Sequence, residues 1–364
     1  MNDPVRIALV GCGRQMRQNL FPFLQRVRGH QIVACVDPDL SLAAEIQAQT
    51  YGAVCAESVG GLDLSTVDAA VIAVPPEPSS LLTRHLVERG VDCFVEKPAG
   101  PSTPALEELD HAVRRSGRNV QVGFNFRYAE TLARLHELTR ATRATPCSVT
   151  IDFYSRHPSA PQWGVDTTLE AWIRHNGVHA LDLARWFVPS PVVQVDAHAI
   201  SGGPDRFQVV VILRHLDGSL STLRMGNNLK RFLVSVSVQG TDGSRYSAPS
   251  LERVTWDLDA GTPLGQELHS TRNLDHGWAR SGFGPELAFF IESCRRSASV
   301  RSLDGLTGDG VAGDGLTGAE DGPGVGDALA ASALCDRALE GLAAPAANGF
   351  GVVTHPMRAS AQVG

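Results

Sequence analysis

The sequence predicts a doubly wound α/β domain followed by an α+β domain built on a large, mostly antiparallel sheet with one open face. Three observations predict this. Short apolar runs alternate with amphipathic segments over the first 123 residues, strand-like runs later follow one another across short turns, and Gly11-Cys12-Gly13 directly follows the first apolar run. With 364 residues, 43% hydrophobic and 20% charged, the chain has length for about two domains and apolar surface for a core in each.

Arg6–Val10, Ile32–Val36, Ala53–Ala56, Ala69–Val74, Cys93–Val95 and Val120–Val122 have the size and β-branched content of buried parallel strands. Between several of them lie the helical stretches Ser41–Thr50, Ser79–Arg89 and Pro104–Arg115. The last has Ser102 or Thr103 as N-cap and Gly117 just past its end. From Phe124 the rhythm changes. A helix over about 129–139 leads to the half-buried strand Ser148–Tyr154, then to a long helix, Thr168–Phe187. Strands follow at Val192–Ala199, Phe207–Leu213, Ser219–Met225, Phe232–Val238 and Leu251–Trp256, with turns at Asp217-Gly218 and Asp242-Gly243. Phe232, Val234, Val236 and Val238 should face one way, with Ser235 and Ser237 facing the other. Glu286–Arg296 and Asp327–Leu342 are the closing helices. Between them Leu303–Gly326 holds nine Gly in 24 residues, and Asp-Gly-Leu-Thr-Gly occurs twice, at Asp304–Gly308 and Asp314–Gly318. Two copies are too few for a calcium-binding repeat, and the composition points to a flexible insertion. The expected boundaries are 1–123 for the nucleotide-binding domain, 124–345 for a substrate and oligomerisation domain, with 303–326 inserted, and 346–364 for a loosely ordered tail.

The formal charge of −7 implies no basic face, so nucleic acid and membrane surfaces are not expected partners. The longest apolar runs are strand-sized and do not span a bilayer. The N-terminus enters a strand without a basic or apolar leader, and seven scattered Cys form no C-x-x-C pair. Both features lead to the expectation of a cytoplasmic chain with reduced thiols, no disulfide framework and no metal site. Of 32 basic residues only two, Lys97 and Lys230, are Lys. Arg replaces a plain surface cation readily, whereas only the Lys amine is easily tuned in pKa, so both positions are candidates for chemistry.

Gly11 permits a tight turn after the first strand, and Gly13 lets a pyrophosphate approach the backbone at the start of the next helix. The third glycine position of G-x-G-x-x-G holds Met16, which should loosen helix–strand packing there. Asp37 ends the second strand, where a carboxylate binds a ribose 2′-OH and repels a 2′-phosphate, favouring NAD(H) over NADP(H). The alternative role for Asp37 is to cap the turn into Pro38-Asp39. Glu96-Lys97-Pro98 follows the fifth strand, at the carboxyl edge where open α/β sheets bind ligands. There Lys97 is either a positioned acid or a surface partner of Glu96. At 100° per residue Trp172, His175, His179, Asp182 and Trp186 share a narrow arc of the long helix. The two His are an acid/base pair, core residues, or metal ligands without an evident third partner.

Here the chain resembles the glucose–fructose oxidoreductase / inositol dehydrogenase / rhizopine-catabolism (Gfo/Idh/MocA) oxidoreductases, from about Val5 to Leu342. The carriers are Val-Gly-Cys-Gly-Arg (10–14), Val-Glu-Lys-Pro (95–98), Val-Gly-Phe-Asn-Phe-Arg-Tyr (122–128), Gly-Val-His-Ala-Leu-Asp-Leu-Ala-Arg-Trp (177–186) and Gly-Thr-Asp-Gly (240–243). In this order and spacing they are specific. The resemblance implies a Rossmann domain with NAD held by Gly11, Gly13, Arg14, Gln15, Asp37, Pro75, Glu96 and Lys97. It also implies that Lys97 and His179 flank the nicotinamide, with Asn125, Arg127, Tyr128 and Trp172 toward a small-molecule substrate, and a homodimer or homotetramer through the C-terminal sheet. Two departures stand out. The family's Asp-x-x-x-His places His175 where the Asp belongs, and the Gly-Gly turn before it is replaced by Thr168–Ile173. The expected activity is hydride transfer between nicotinamide and a hydroxyl or carbonyl carbon of a sugar or cyclitol-like compound, with His175 tuning His179 or touching substrate. The alternatives are a biosynthetic ketone or imine reductase, a non-catalytic nucleotide sensor, and redox-assisted glycoside hydrolysis.

Overall fold

The computed structural model describes residues 3–142, 145–203, 205–258, 264–268, 278, 280–307 and 322–343. The chain divides into two units, Met1–Arg134 with Leu268–Ala333, and Leu135–Glu267 with Leu334–Gly364.

In the first unit the apolar runs become the strands β1 (Val5–Val10), β2 (His30–Val36), β3 (Val54–Ala56), β4 (Ala69–Ile72), β5 (Asp92–Val95) and β6 (Val120–Val122). They form one parallel sheet in the order β3-β2-β1-β4-β5-β6. The order reverses between β1 and β4, so the loops leaving these strands splay apart and open a crevice at the carboxyl edge. Strands β4 and β5 are buried at every position, as both-face coverage requires. The helix Thr103–Ser116 starts at Ser102, whose hydroxyl accepts from the Ala105 N–H at 3.4 Å, and ends at Gly117. On one face of the sheet Ile7, Leu9, Met16, Leu20, Leu24 and Phe94 pack with Leu287, Phe290 and Ile291 of the helix Phe283–Thr307. The Phe94 and Phe290 rings meet edge to face at 5.9 Å. Each such buried side chain contributes about 1.5–3 kcal/mol.

The second unit is an eight-stranded sheet of β7 (Cys147–Tyr154), β8 (Val192–Ser201), β9 (Phe207–His215), β10 (Leu220–Gly226), β11 (Leu233–Gly240), β12 (Arg245–Ser250), β13 (Arg253–Asp257) and β14 (Gly265–Leu268). Its order is β14-β13-β12-β11-β7-β10-β9-β8. The β8–β9, β9–β10, β7–β11, β11–β12 and β12–β13 pairs are antiparallel, and β7 runs parallel to β10. One face is covered by the helix Val178–Phe187, which packs on β7 and β10. Val234, Val236 and Val238 are buried on the covered face. Ser235 and Ser237 point the other way, the first donating to Asp152 at 3.2 Å and the second bonded to Ser247 at 2.9 Å.

Four expectations need correction. Phe232 lies before β11 and is 51% exposed, and its ring meets Phe153 edge to face at 5.9 Å. The predicted strand Leu251–Trp256 corresponds to β13, and a strand not predicted, β12, precedes it across the turn at Leu251-Glu252. The register shifts between Ser247 and Ser250, where Pro249 has no N–H to give. The predicted closing helix Glu286–Arg296 runs over Phe283–Thr307 and takes in the start of the glycine-rich stretch, while 308–321 and the tail 346–364 lie outside the described residues. The long helix 168–187 is continuous but not regular, because Ile173–Gly177 is a π-turn between Thr168–Trp172 and Val178–Phe187. Among the described residues no helix is long and apolar enough to cross a membrane.

Candidate active site

The first part of the site grows from the end of β1. Gly11 donates its N–H to the Val36 carbonyl at 2.8 Å and turns with φ +84°. A Cβ there would lie 2.5 Å from the Ala73 carbonyl oxygen, so only glycine fits. A Cβ on Gly13 would meet nothing within 4 Å, which leaves its backbone open to an approaching phosphate. Met16, in the third glycine's place, is fully buried in the π-turn Met16–Leu20, and the wider turn gives its side chain room. The Met16 side chain itself fills the space that a glycine would leave between helix and strand. Asp37 shapes the turn into Pro38-Asp39, one of the two roles open to it, and also reaches the glycine loop. One oxygen accepts from the Cys12 N–H at 2.8 Å, the other from the Asp39 N–H at 2.9 Å, so the carboxylate ties the glycine loop to the end of β2 and also shapes the Pro38 turn. A carboxylate retains further lone pairs for a ribose hydroxyl. Arg14 is exposed and bonds Gln18 at 2.9 Å, and Pro75 is exposed at the head of the helix Pro76–Val87.

Gln15 links this loop to the end of β5, its amide donating to the Glu96 carboxylate at 2.7 Å. Glu96 is buried, and burial raises its pKa against the opposing pull of the Lys97 charge and the Gln15 bond. Lys97 is next to it, partly buried, with its ammonium pushed down to about 8 by burial although Glu96 pulls the other way. An amine so placed changes charge near neutral pH, as proton transfer to an alkoxide or carbonyl oxygen needs. Glu286 is a further group of this region that the motifs did not reveal. Its signal was a lone acid heading the apolar run Leu287–Ile291, with Phe290 one turn further on the same face.

The 3₁₀ turn Asn125–Tyr128 positions the next three predicted residues. Asn125 is buried and donates to the Ser281 carbonyl at 2.5 Å. Arg127 pairs with Asp327 at 2.9 Å over the Phe124 ring, and Tyr128 packs its ring 5.6 Å from Phe289. These bonds of Asn125 and Arg127 brace chain segments of their own unit.

In the second unit, Trp172, His179 and Asp182 are buried. The Trp172 indole donates to the Ser155 carbonyl at 2.8 Å, which makes it a core residue and not the substrate wall expected of it. His179 stacks on Phe153, centroids 5.9 Å apart and planes 16° off parallel. The π-turn adds one residue between Trp172 and His179, rotating the two ends of the helix by about 100° relative to a regular one. The predicted single arc therefore splits. His175 lies partly exposed with its ring 5.0 Å from Trp163, a residue 43% exposed and at φ +56°. Trp186 stacks on His136 at 3.9 Å. Among the described residues no three His, Cys, Asp or Glu side chains converge as metal ligands.

Residues 5–124 match the model of an oxidoreductase family with an NAD-binding Rossmann fold, the Gfo/Idh/MocA family. Over 345 residues, 93% of each chain, the protein is 26% identical to inositol 2-dehydrogenase 4 of Saccharopolyspora erythraea. By the family model in residues 5–124 and by this relative over most of its length, the chain is similar to the Gfo/Idh/MocA oxidoreductases. Solved structures of the same fold include a dehydrogenase from Chromobacterium violaceum, at TM-score 0.81 and 24% identity over 94% of this chain and 96% of that one. Another is an oxidoreductase from Agrobacterium radiobacter in complex with NAD+, L-tartaric acid and magnesium, at TM-score 0.75 and 17% identity over 93% and 96%. The matched NAD-binding Rossmann model and the dehydrogenase relative make the chain an NAD-dependent oxidoreductase. Its own residues fit that cofactor: an open backbone at Gly13, a loop only Gly11 can turn, and a carboxylate at the end of β2.

Proposed function

We propose that the protein transfers hydride between NAD and a hydroxyl or carbonyl carbon of a sugar or cyclitol-like ring, with Lys97 handling the proton at the reacting oxygen. The observation that carries this is the Lys97 amine, partly buried beside Glu96 at the carboxyl end of β5, with a pKa of about 8. Gly11, Gly13, Arg14, Gln15, Asp37, Pro75 and Glu96 hold the cofactor in this reading. Bound NAD supplies the hydride acceptor or donor. In oxidation His179 draws the hydroxyl proton away while Lys97, neutral at the outset, stabilises the developing alkoxide and relays that proton onward. In reduction Lys97, protonated, gives its proton to the carbonyl oxygen. Asn125, Arg127 and Tyr128 shape the substrate side, and His175 contacts substrate beside Trp163. The inositol 2-dehydrogenase relative supports a cyclitol as the first compound to try.

Residues 1–123 serve the cofactor and 124–345 the substrate and self-association. The chain works in the cytoplasm as a homodimer or homotetramer. The assembly reading is supported by Ile200, Val210 and Ile212, apolar side chains on the uncovered face of the second sheet. A second reading, a ketone or imine reductase, is favoured by the His175–Trp163 contact where the resemblance implies a carboxylate.

The test is a panel of cyclitols and pyranoses with NAD+, and of keto-sugars and cyclic imines with NADH, followed by NADH absorbance. Turnover of a cyclitol or pyranose that falls by about 10²–10⁴ in Lys97→Ala, with NAD binding kept, is the expected result. Turnover of cyclic imines alone favours the second reading, and an unimpaired Lys97→Ala variant overturns the role of Lys97.

A further inference from the structure

Glu286 lies in the first turn of the helix Phe283–Thr307 and is fully buried. Among the described residues neither oxygen of its carboxyl has a hydrogen-bond partner. Gln121 of β6 is beside it, but the amide donates to the Glu286 backbone carbonyl, at 3.0 Å, and not to the side chain. A lone carboxylate in such surroundings is too costly to keep and takes up a proton instead. Burial first, and then the like charge of Glu96, raise the Glu286 carboxyl well above the ordinary carboxylate range.

Glu96 is the charge that reaches Glu286, and Lys97 is the charge that reaches Glu96. Charged groups on the other elements of this unit that pack against the helix have partners of their own. Arg6 on β1 pairs with Asp68, Arg17 on the π-turn with Glu45, Arg127 on the 3₁₀ turn with Asp327, and Arg26 lies over the Trp278 ring. Gly123 leaves space beside the acid, since a Cβ there would come within 3.2 Å of Glu96 Oε2. Lys97, Glu96 and Glu286 therefore form one cluster, a cation and two buried acids. Two buried carboxyls that feel each other do not both ionise freely, so they hold one proton between them.

We propose that Glu286 stores the proton that Lys97 handles, releasing it when the oxidised cofactor binds and taking it back as the substrate hydroxyl is oxidised. The proposal rests on the reading that Lys97 acts at the reacting carbon. In oxidation the substrate O–H bond breaks and its proton reaches Lys97, then the Glu96 carboxylate, then the Glu286 carboxylate. The C–H bond breaks with its electron pair leaving as hydride to the oxidised nicotinamide, whose ring is cationic before the step and neutral after it. The cluster gains one positive charge as the ring loses one, so the net charge of a poorly solvated region does not change. Reduction runs the same transfers backwards. This gives a reason for retaining a buried acid that folding alone disfavours.

Proton exchange on cofactor binding tests it directly, with a pH indicator in weakly buffered solution at about pH 7. Binding of NAD+ should release about one proton per chain and NADH none, while Glu286→Gln binds NAD+ and releases none. Melting curves give a second readout. The raised pKa means that the folded chain holds a proton the unfolded chain loses above the ordinary carboxylate range. Wild-type stability therefore falls as pH rises above the ordinary carboxylate range, and Glu286→Gln lacks this loss. The melting-temperature gap should widen with pH in favour of the variant, whereas a space-filling role leaves it constant. Should the Gln variant not fold, Glu286→Leu is read the same way. Equal proton release in wild type and variant, or a constant gap, overturns the proposal. Undiminished turnover in Lys97→Ala instead overturns the role of Lys97, so the two failures are distinguishable.

Discussion

The helix behind the glycine loop and the helix 168–187 each contain a π-turn, Met16–Leu20 in one and Ile173–Gly177 in the other, with different consequences. In the first, a departure from the dinucleotide fingerprint is absorbed. Met16 takes the third glycine's place, the wider turn buries it, and Gly11 and Gly13 still present the backbone a pyrophosphate needs. In the second, the departure changes the chemistry on offer. His175 stands where the resemblance implies a carboxylate, and its neighbour is the exposed Trp163. Cofactor binding uses backbone shape, which a packing adjustment can preserve. Substrate recognition uses side-chain identity, which it cannot.

Substitutions test that contrast, the largest effect first. Trp172→Ala should destabilise the protein by about 3–5 kcal/mol in urea unfolding, since it empties a fully buried site and leaves the Ser155 carbonyl without its indole donor. A loss below about 1 kcal/mol would return Trp172 to the substrate wall. Met16→Gly, which restores the fingerprint, should cost about 2–5 kcal/mol by the same measurement and leave NAD affinity no better. A stabilised variant with tighter NAD binding would show that the π-turn is a defect and not an accommodation. Asp37→Ala should weaken NAD binding by about 1–3 kcal/mol in calorimetric titration, because it frees the Cys12 N–H and removes the ribose acceptor. Unchanged NAD affinity would leave Asp37 with the turn alone.

Much of this was legible in the sequence, for physical reasons that differ by element. The central parallel strands β1, β4, β5 and β6 are buried at nearly every position, so they appear as continuous apolar runs, and the structure places all six strands within two residues of their predicted starts and ends. Ser102 and Gly117 bracket their helix because a hydroxyl and a left-handed glycine are what helix ends require. The second sheet was harder to read. β12, Arg-Tyr-Ser-Ala-Pro-Ser, carries a proline and little apolar alternation, and its pairing depends on neighbours that the local sequence does not specify. Neither π-turn was legible, since a search at 100° per residue assumes the regularity that a π-turn breaks. Glycine loop, Asp37, Glu96 and Lys97 were found from motif and position, because backbone geometry there demands particular residue types. Glu286 belongs to no motif. Only the fold brings the first turn of the helix Phe283–Thr307 into electrostatic range of Glu96.

The pH dependence of a single turnover, with cofactor and substrate saturating, tests the role of Lys97 most directly. With its pKa lowered to about 8, Lys97 is largely protonated below that pH and neutral above it. Reduction, which uses the protonated amine, should slow as pH rises through about 8, and oxidation should speed up over the same interval. Both dependences should vanish in Lys97→Ala. A wild-type profile flat through this range, or a reduction rate that climbs with pH, would contradict the account.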